Sequence, residues 1–234
     1  MKLFVVLLLC LLGNSLASVI KSKEIIQLNE SDRVKLERAL KQLEGGDKSI
    51  LDELPNIIFD LIVSAIGNSD FDPMGLPDIK LDFEEGRLTG DLQLTEGEVG
   101  GFSEISRAGD AEVNLFILER RANVKIPVFF EELGLSYRYF ARLGLLGVDG
   151  TISGGFVGIT TVLDIDINLA NMDMSLNEFS IDANDFRIRF DNNPWTDWTI
   201  NLLLRIITSI AKEPILEAVE SVLEIIFGII FGSI

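Results

Sequence analysis

Apolar residues first recur with a helical period between Ile50 and Ile66. Leu51, Leu54, Ile57, Ile58, Leu61, Ile62, Ala65 and Ile66 fall at spacings of three and four, which predicts an amphipathic helix with one oily face. Pro55 lies in its first turn, where the missing N–H costs nothing, and Gly67-Asn68-Ser69-Asp70 predicts the stop. Upstream, Ser31 is placed to cap a shorter helix carrying Val34, Leu36, Leu40 and Leu43 and ending at Gly45-Gly46.

From Leu76 to Asp191 the period changes to two. Leu88, Gly90, Leu92 and Leu94 share one face, and the alternation returns in Val124, Ile126, Val128 and Phe130. It continues in Ile159, Leu163, Ile165, Ile167 and Leu169, in Met172, Met174 and Leu176, and in Phe186, Ile188 and Phe190. Turn signals at Glu85-Gly86, Gly100-Gly101, Gly109-Asp110, Asp149-Gly150 and Asp191-Asn192-Asn193-Pro194 make the connections hairpin-like, so an antiparallel sheet is expected. The stretch Ile152 to Ala170 exceeds an ordinary strand, and Gly154-Gly155 and Gly158 offer places to bend or bulge.

Thr196 to Ile234 returns to the helical period, with Pro214 predicting a kink or two consecutive helices. Its apolar residues cover most of the circumference and leave Glu217, Glu220 and Glu224 as a narrow polar line. A helix of that kind needs to be surrounded. The pattern therefore predicts an α+β fold: an elongated roll of long curved antiparallel strands wrapped around the C-terminal helix, with an N-terminal helix packed alongside. The expected division is a polar extension with a short helix over 18–47 and a single domain over 48–234.

Composition narrows the chemistry. The 234 residues carry 37 acidic and 20 basic side chains, a net charge of −17, with no cluster of basic residues, so nucleic acid is not an expected partner. There is no histidine, which removes Ser-His and Cys-His nucleophiles and His-ligated metals. Residues 1–17, with Lys2, an apolar run from Leu3 to Leu12 and Ser15-Leu16-Ala17, read as a signal peptide, too short in its apolar part to span a bilayer. Its removal takes away Cys10, the sole cysteine, so a secreted extracellular chain would depend on core burial and not on a disulfide. Asn29-Glu30-Ser31 fits a glycosylation acceptor and, equally, an unmodified triplet.

Two segments carry a likeness. Phe71-Asp72-Pro73-Met74-Gly75-Leu76-Pro77-Asp78 and Gly101-Phe102-Ser103-Glu104-Ile105-Ser106-Arg107-Ala108-Gly109-Asp110-Ala111-Glu112-Val113 resemble, in order and separation, the group 7 mite allergen-like family of secreted arthropod proteins. The resemblance implies a half-length relative of the bactericidal/permeability-increasing proteins, the tubular lipid-binding superfamily, in which a curved sheet wraps a long helix around a hydrophobic ligand site. Juvenile-hormone-binding and takeout-like proteins of that superfamily usually carry an N-terminal disulfide, which this chain lacks after processing. The polar stretch from Ser18 to Asp47 is longer than the family pattern. No catalytic residue is carried over.

Other chemistry is weakly marked. Asp164-Ile165-Asp166-Ile167-Asn168 lacks the glycine of a calcium loop and alternates as a strand, so no metal or cofactor is expected. Gly228 and Gly232 have the spacing of a membrane-helix contact, yet the run Ile225 to Ile234 is too short to cross a bilayer. Contact with a membrane surface is expected to be weak at most, because the acidic balance opposes anionic lipid. The expected function is a non-enzymatic carrier of a lipid, fatty acid or isoprenoid held between sheet and helices; the alternative is an interface-active or innate-immune surface protein without a discrete ligand. Candidate lining residues are Ile58, Leu61 and Ile62 on the first long helix; Leu92, Leu94, Ile126, Val128, Phe130, Leu163, Ile165, Phe186 and Ile188 on strands; and Leu203, Ile206, Ile207 and Ile210 on the last helix. For any one of them plain core packing is the simpler explanation, and oligomeric state is left open.

Overall fold

A computed structural model describes residues 30–69, 71–85, 88–177, 179–191 and 197–232. The expected signal peptide 1–17, Cys10 and the acceptor Asn29 lie outside the described residues, as do the turn residues Gly86 and Asn192 to Pro194. Helix α1 spans Glu30–Glu44, beginning one residue before the expected Ser31 cap, and a 3-10 turn covers Lys48–Asp52. Gly46, at φ 85, closes α1 as predicted, and Leu36, Ala39, Leu40 and Leu43 are buried. Helix α2 spans Leu54–Gly67 with Pro55 in its first turn. It starts later than the apolar period suggested, because the first apolar residues belong to the 3-10 turn.

Among the described residues the sheet has nine antiparallel strands. They are β1 (Met74–Leu76), β2 (Ile79–Glu85), β3 (Leu88–Gly100), β4 (Ser106–Arg107), β5 (Glu112–Phe116), β6 (Arg121–Leu143), β7 (Leu146–Asn168), β8 (Met174–Leu176) and β9 (Ile181–Asp191). The frame is the β6–β7 hairpin, each strand 23 residues long, or about 75 Å at ~3.3 Å per residue. Along its outer edges β3, β4 and β5 line up end to end on β6, while β8 and β9 share β7. Asp149-Gly150 is not the turn expected from sequence. The chain reverses at Gly144-Leu145, with Gly144 at φ 64, and Gly150 sits inside β7 because a Cβ there would meet the Tyr139 ring at 2.9 Å.

The long hairpin keeps its oily side facing inward by a phase inversion. Phe130 pairs with Ile159 and Leu133 with Phe156, so each strand advances three residues between successive inward positions instead of two. The same step recurs on β9 between Ala183 and Phe186. At its centre Gly158 takes φ +64, the left-handed region that side chains with a Cβ avoid. Because both partners gain one residue, the register is unchanged while the inward face is exchanged.

The C-terminal region is helical from Asp197 to Gly232: α3 (Asp197–Ile206), one π turn (Ile207–Ala211) and α4 (Lys212–Gly232). The irregularity expected at Pro214 is therefore placed one turn earlier. Pro214 cannot donate to Ile210 and crowds its carbonyl, and the widened turn just before the proline absorbs both effects. The hydroxyls of Thr208 and Ser209 donate back to the Arg205 carbonyl at 3.3 and 2.6 Å. Helix α4 packs on β1, β8 and α2, and the π turn on β2, so the sheet closes over the helix as a roll.

The two segments that carried the resemblance are joined physically. The Asp72 carboxylate accepts the Gly101 N–H at 2.8 Å, the Ser103 N–H at 3.2 Å and the Ser103 hydroxyl at 3.1 Å. Arg107 donates to the Asn56 side chain at 2.7 Å and to the Gly109 carbonyl at 3.1 Å, tying the second segment to α2.

Candidate functional site

The interior between sheet and helices is built from the expected faces. Ile58, Leu61 and Ile62 of α2, Leu92 and Leu94 of β3, Ile126, Val128 and Phe130 of β6, and Leu163 and Ile165 of β7 are all at most 1% exposed. Leu203 and Ile206 of α3 and Ile207 of the π turn join them in one continuous apolar core. Phe186, Ile188 and Ile210 pack against that core but remain half-buried, so they form its wet margin.

Sequence reasoning missed the inward residues of β6 and β7 beyond the phase inversion. Leu133, Leu135, Tyr137 and Phe156 are buried, and Phe156 stacks on Phe186 with ring centroids 4.6 Å apart. The available signal was the glycine series 154, 155 and 158, which marks where alternation resumes on the other phase. Tyr137 fits beneath Gly97, where a Cβ would strike its ring at 2.2 Å, and its hydroxyl donates to the Pro77 carbonyl at 3.1 Å. Burial pushes the Tyr137 phenol far up from its ordinary value, with the nearby Asp78 charge adding to the effect.

Polar groups are few inside and arranged at the edges. Among the described residues the buried polar side chains are Asn123, Thr161 and Thr199. Asn123 lies on the side of β6 away from the core and donates to Asp164 at 2.5 Å and to Asp166 at 3.1 Å. Burial pushes the Asp164 carboxyl up, but hydrogen bonds from Asn123, Asn177 and Lys125 outweigh it and hold the group below the usual carboxylate range. The connection from β8 to β9 crosses α4. Thr161 donates to the Ser180 carbonyl at 2.6 Å, Phe179 packs on Phe227 at 5.6 Å between centroids, and the Ile181 N–H donates to Glu220 at 3.3 Å. Burial raises the Glu220 carboxyl above its ordinary value, against the Ile181 hydrogen bond and with help from Glu224 and Glu217.

Open clefts of about 340 to 670 Å³ lie on the surface. Of the candidate lining residues, Ile188 borders one of them, a cleft of about 510 Å³ that also meets Ser136, Ser153 and Arg189. Phe186 and Ile210 stay half-buried, and the other candidates are shut from water by one another. Among the described residues no group of three or more His, Cys, Asp or Glu side chains is placed to hold a metal, and no helix is long and apolar enough to cross a membrane. The arrangement is a continuous apolar interior between sheet and helices.

No curated protein matches the chain by sequence. Among solved structures it is similar to a lipopolysaccharide binding protein, at 16% identity and a TM-score of 0.43, over 65% of this chain and 34% of that one. It is also similar to Takeout 1 of Epiphyas postvittana, at 16% identity and a TM-score of 0.46, over 72% of this chain and 82% of that one. The chain thus spans about a third of the length of the first of these. Residues 55–228, from the first turn of α2 through the sheet and most of α4, match the Group 7 allergen family, and the chain belongs to that family.

Proposed function

We propose that the chain is a secreted, non-enzymatic carrier that takes up a hydrophobic small molecule, a lipid, fatty acid or isoprenoid, between its sheet and its helices. Residues 1–17 act as its leader, and 48–234 work as a single binding unit. The observation that carries this reading is the continuous apolar layer between the inner sheet face and α2, α3 and α4. The absence of histidine, and of cysteine outside the leader, supports a binding role over catalysis.

The mechanism is desolvation. Transfer of a chain of about fifteen methylenes at ~0.8 kcal/mol each contributes on the order of 12 kcal/mol, which offsets an association cost of ~4 to 15 kcal/mol. A guest enters by parting helix from sheet at the wet margin marked by Phe186, Ile188 and Ile210. The π turn at Ile207–Ala211 is the weakest stretch of the covering helix and the place for that movement.

Native mass spectrometry of protein secreted from its own source, followed by organic extraction, tests the reading. One recurring lipid class at near-unit stoichiometry is the expected result. Protein that arrives empty and takes up no fatty acid after delipidation overturns it.

A further inference from the structure

The turn between β5 and β6 carries an exposed apolar run of three residues, longer than the Leu145-Leu146 pair at the β6–β7 turn. Phe116, Ile117 and Leu118 are consecutive and 37, 62 and 101% exposed, in a chain whose other apolar residues mostly face the core. An exposed apolar run of this kind is a defect unless it has a use. The turn is also held firmly: the Arg120 N–H donates to the Ile117 carbonyl at 3.1 Å, and the Leu169 N–H donates to the Arg120 carbonyl at 2.8 Å. Arg120 itself sits at φ 48, a left-handed conformation that a residue with a Cβ adopts only under constraint.

Directly behind the apolar apex stand two guanidinium groups. Arg121 stacks over Phe116 at 4.6 Å and lies 3.9 Å from both Glu119 and Asp166, while Arg120 pairs with Glu44. Both arginines stay about half exposed, 56 and 43%, and the three carboxylates beside them, Glu44, Glu119 and Asp166, leave the tip with one negative charge in excess. We propose that this turn is a docking tip for the surface of a zwitterionic phospholipid bilayer: Phe116, Ile117 and Leu118 enter the boundary of the acyl region, and Arg120 and Arg121 meet the phosphates.

Charge selects the occupant. The slight negative excess at the tip and the −17 of the whole chain both oppose an anionic surface, whereas a zwitterionic phospholipid surface carries no net charge to repel them and still offers phosphates to the half-exposed arginines. A second copy of the chain is a poorer fit, since a patch of three side chains falls well short of the ~800 Å² per partner of a stable interface. The inference goes beyond the carrier reading and does not rest on it, because an empty protein has the same tip.

The test is co-sedimentation of the full chain with phosphatidylcholine vesicles. Wild type is expected to bind, Ile117→Asp/Leu118→Asp to bind at least tenfold more weakly, and replacing a third of the lipid with phosphatidylserine to weaken wild type. Leu145→Asp at the opposite end of β6, equally exposed, and Val34→Asp on α1 are expected to bind as wild type does. All four positions face water, so circular dichroism spectra should be unchanged. Wild type that ignores the vesicles, a double variant that binds normally, binding lost on Leu145→Asp, or a dimer that the double variant dissociates would each overturn the proposal. Lipid uptake measured on the same proteins reads the carrier function separately.

Discussion

Asp72 holds Ser103 by two hydrogen bonds, from its backbone N–H at 3.2 Å and from its hydroxyl at 3.1 Å, across 31 positions of sequence. The same carboxylate takes the Gly101 N–H, so one side chain fastens the loop that enters the sheet to the loop that leaves β3. Charged acceptors of backbone N–H groups contribute more than neutral ones. The two segments that carried the resemblance thus serve one structural joint.

Asp72→Ala is therefore expected to lower stability by about 2–3 kcal/mol, since it strands two backbone donors, and Asp72→Asn by roughly half of that. Urea denaturation reads the difference. Equal stability of all three proteins would show that water replaces the carboxylate without cost.

Gly158→Ala tests the phase inversion. At φ +64 an added Cβ costs about 1–2 kcal/mol, and it would also lie 2.5 Å from the Asn184 amide. Trimming the neighbour, as Gly158→Ala/Asn184→Ala, should recover only the steric part. A fully restored melting temperature in the double variant would mean that backbone conformation contributes nothing there.

Much of the fold was legible from periodicity, and the inversion marks where legibility ended. Val124 to Phe130 and Ile159 to Leu169 alternate cleanly, and both runs stop at the same cross-strand step, between Phe130–Ile159 and Leu133–Phe156. Beyond it the inward residues Leu135, Tyr137, Ile152 and Phe156 occupy the opposite phase, so a fixed period of two cannot find them. The helices read well because their apolar arcs are wide, yet the π turn was invisible: proline forecasts a disturbance and not which turn absorbs it. The candidate site shared this limit, since its residues were chosen from the regular runs alone.

Glu220→Gln addresses the carboxylate beneath the β8–β9 crossing. A folded-state pKa raised by burial means that the native state favours the protonated form. That contribution to stability is present in acid and is lost as pH rises through the raised value. At pH 7 the ionised side chain opposes folding, and the amide keeps an oxygen for the Ile181 N–H. With screening by solvent the gain is about 0.5 kcal/mol or less, a rise in Tm of roughly 1–2 °C at pH 7 that disappears below about pH 4. A lower Tm for the variant at pH 7 would refute this assignment.

Ile210→Trp probes entry to the interior. Ile210 is half-buried at the margin, so the larger ring adds bulk there without filling the closed core. Uptake of a fluorescent fatty acid should fall at least fivefold with Tm changed by less than about 3 °C. Unchanged uptake would place the route elsewhere.

The position of α4 in the chain has a consequence for biogenesis. A ribosome delivers the hairpin β6–β7, whose contacts are local and fast to form, well before it delivers the rod that covers it. During that interval the inner sheet face is bare, with Ile126, Val128, Leu163 and Ile165 open to any passing nonpolar surface. A nascent chain halted before Asp197 is accordingly an aggregation-prone intermediate, and translocation of the complete polypeptide ahead of sheet closure would be the safer route to the native roll.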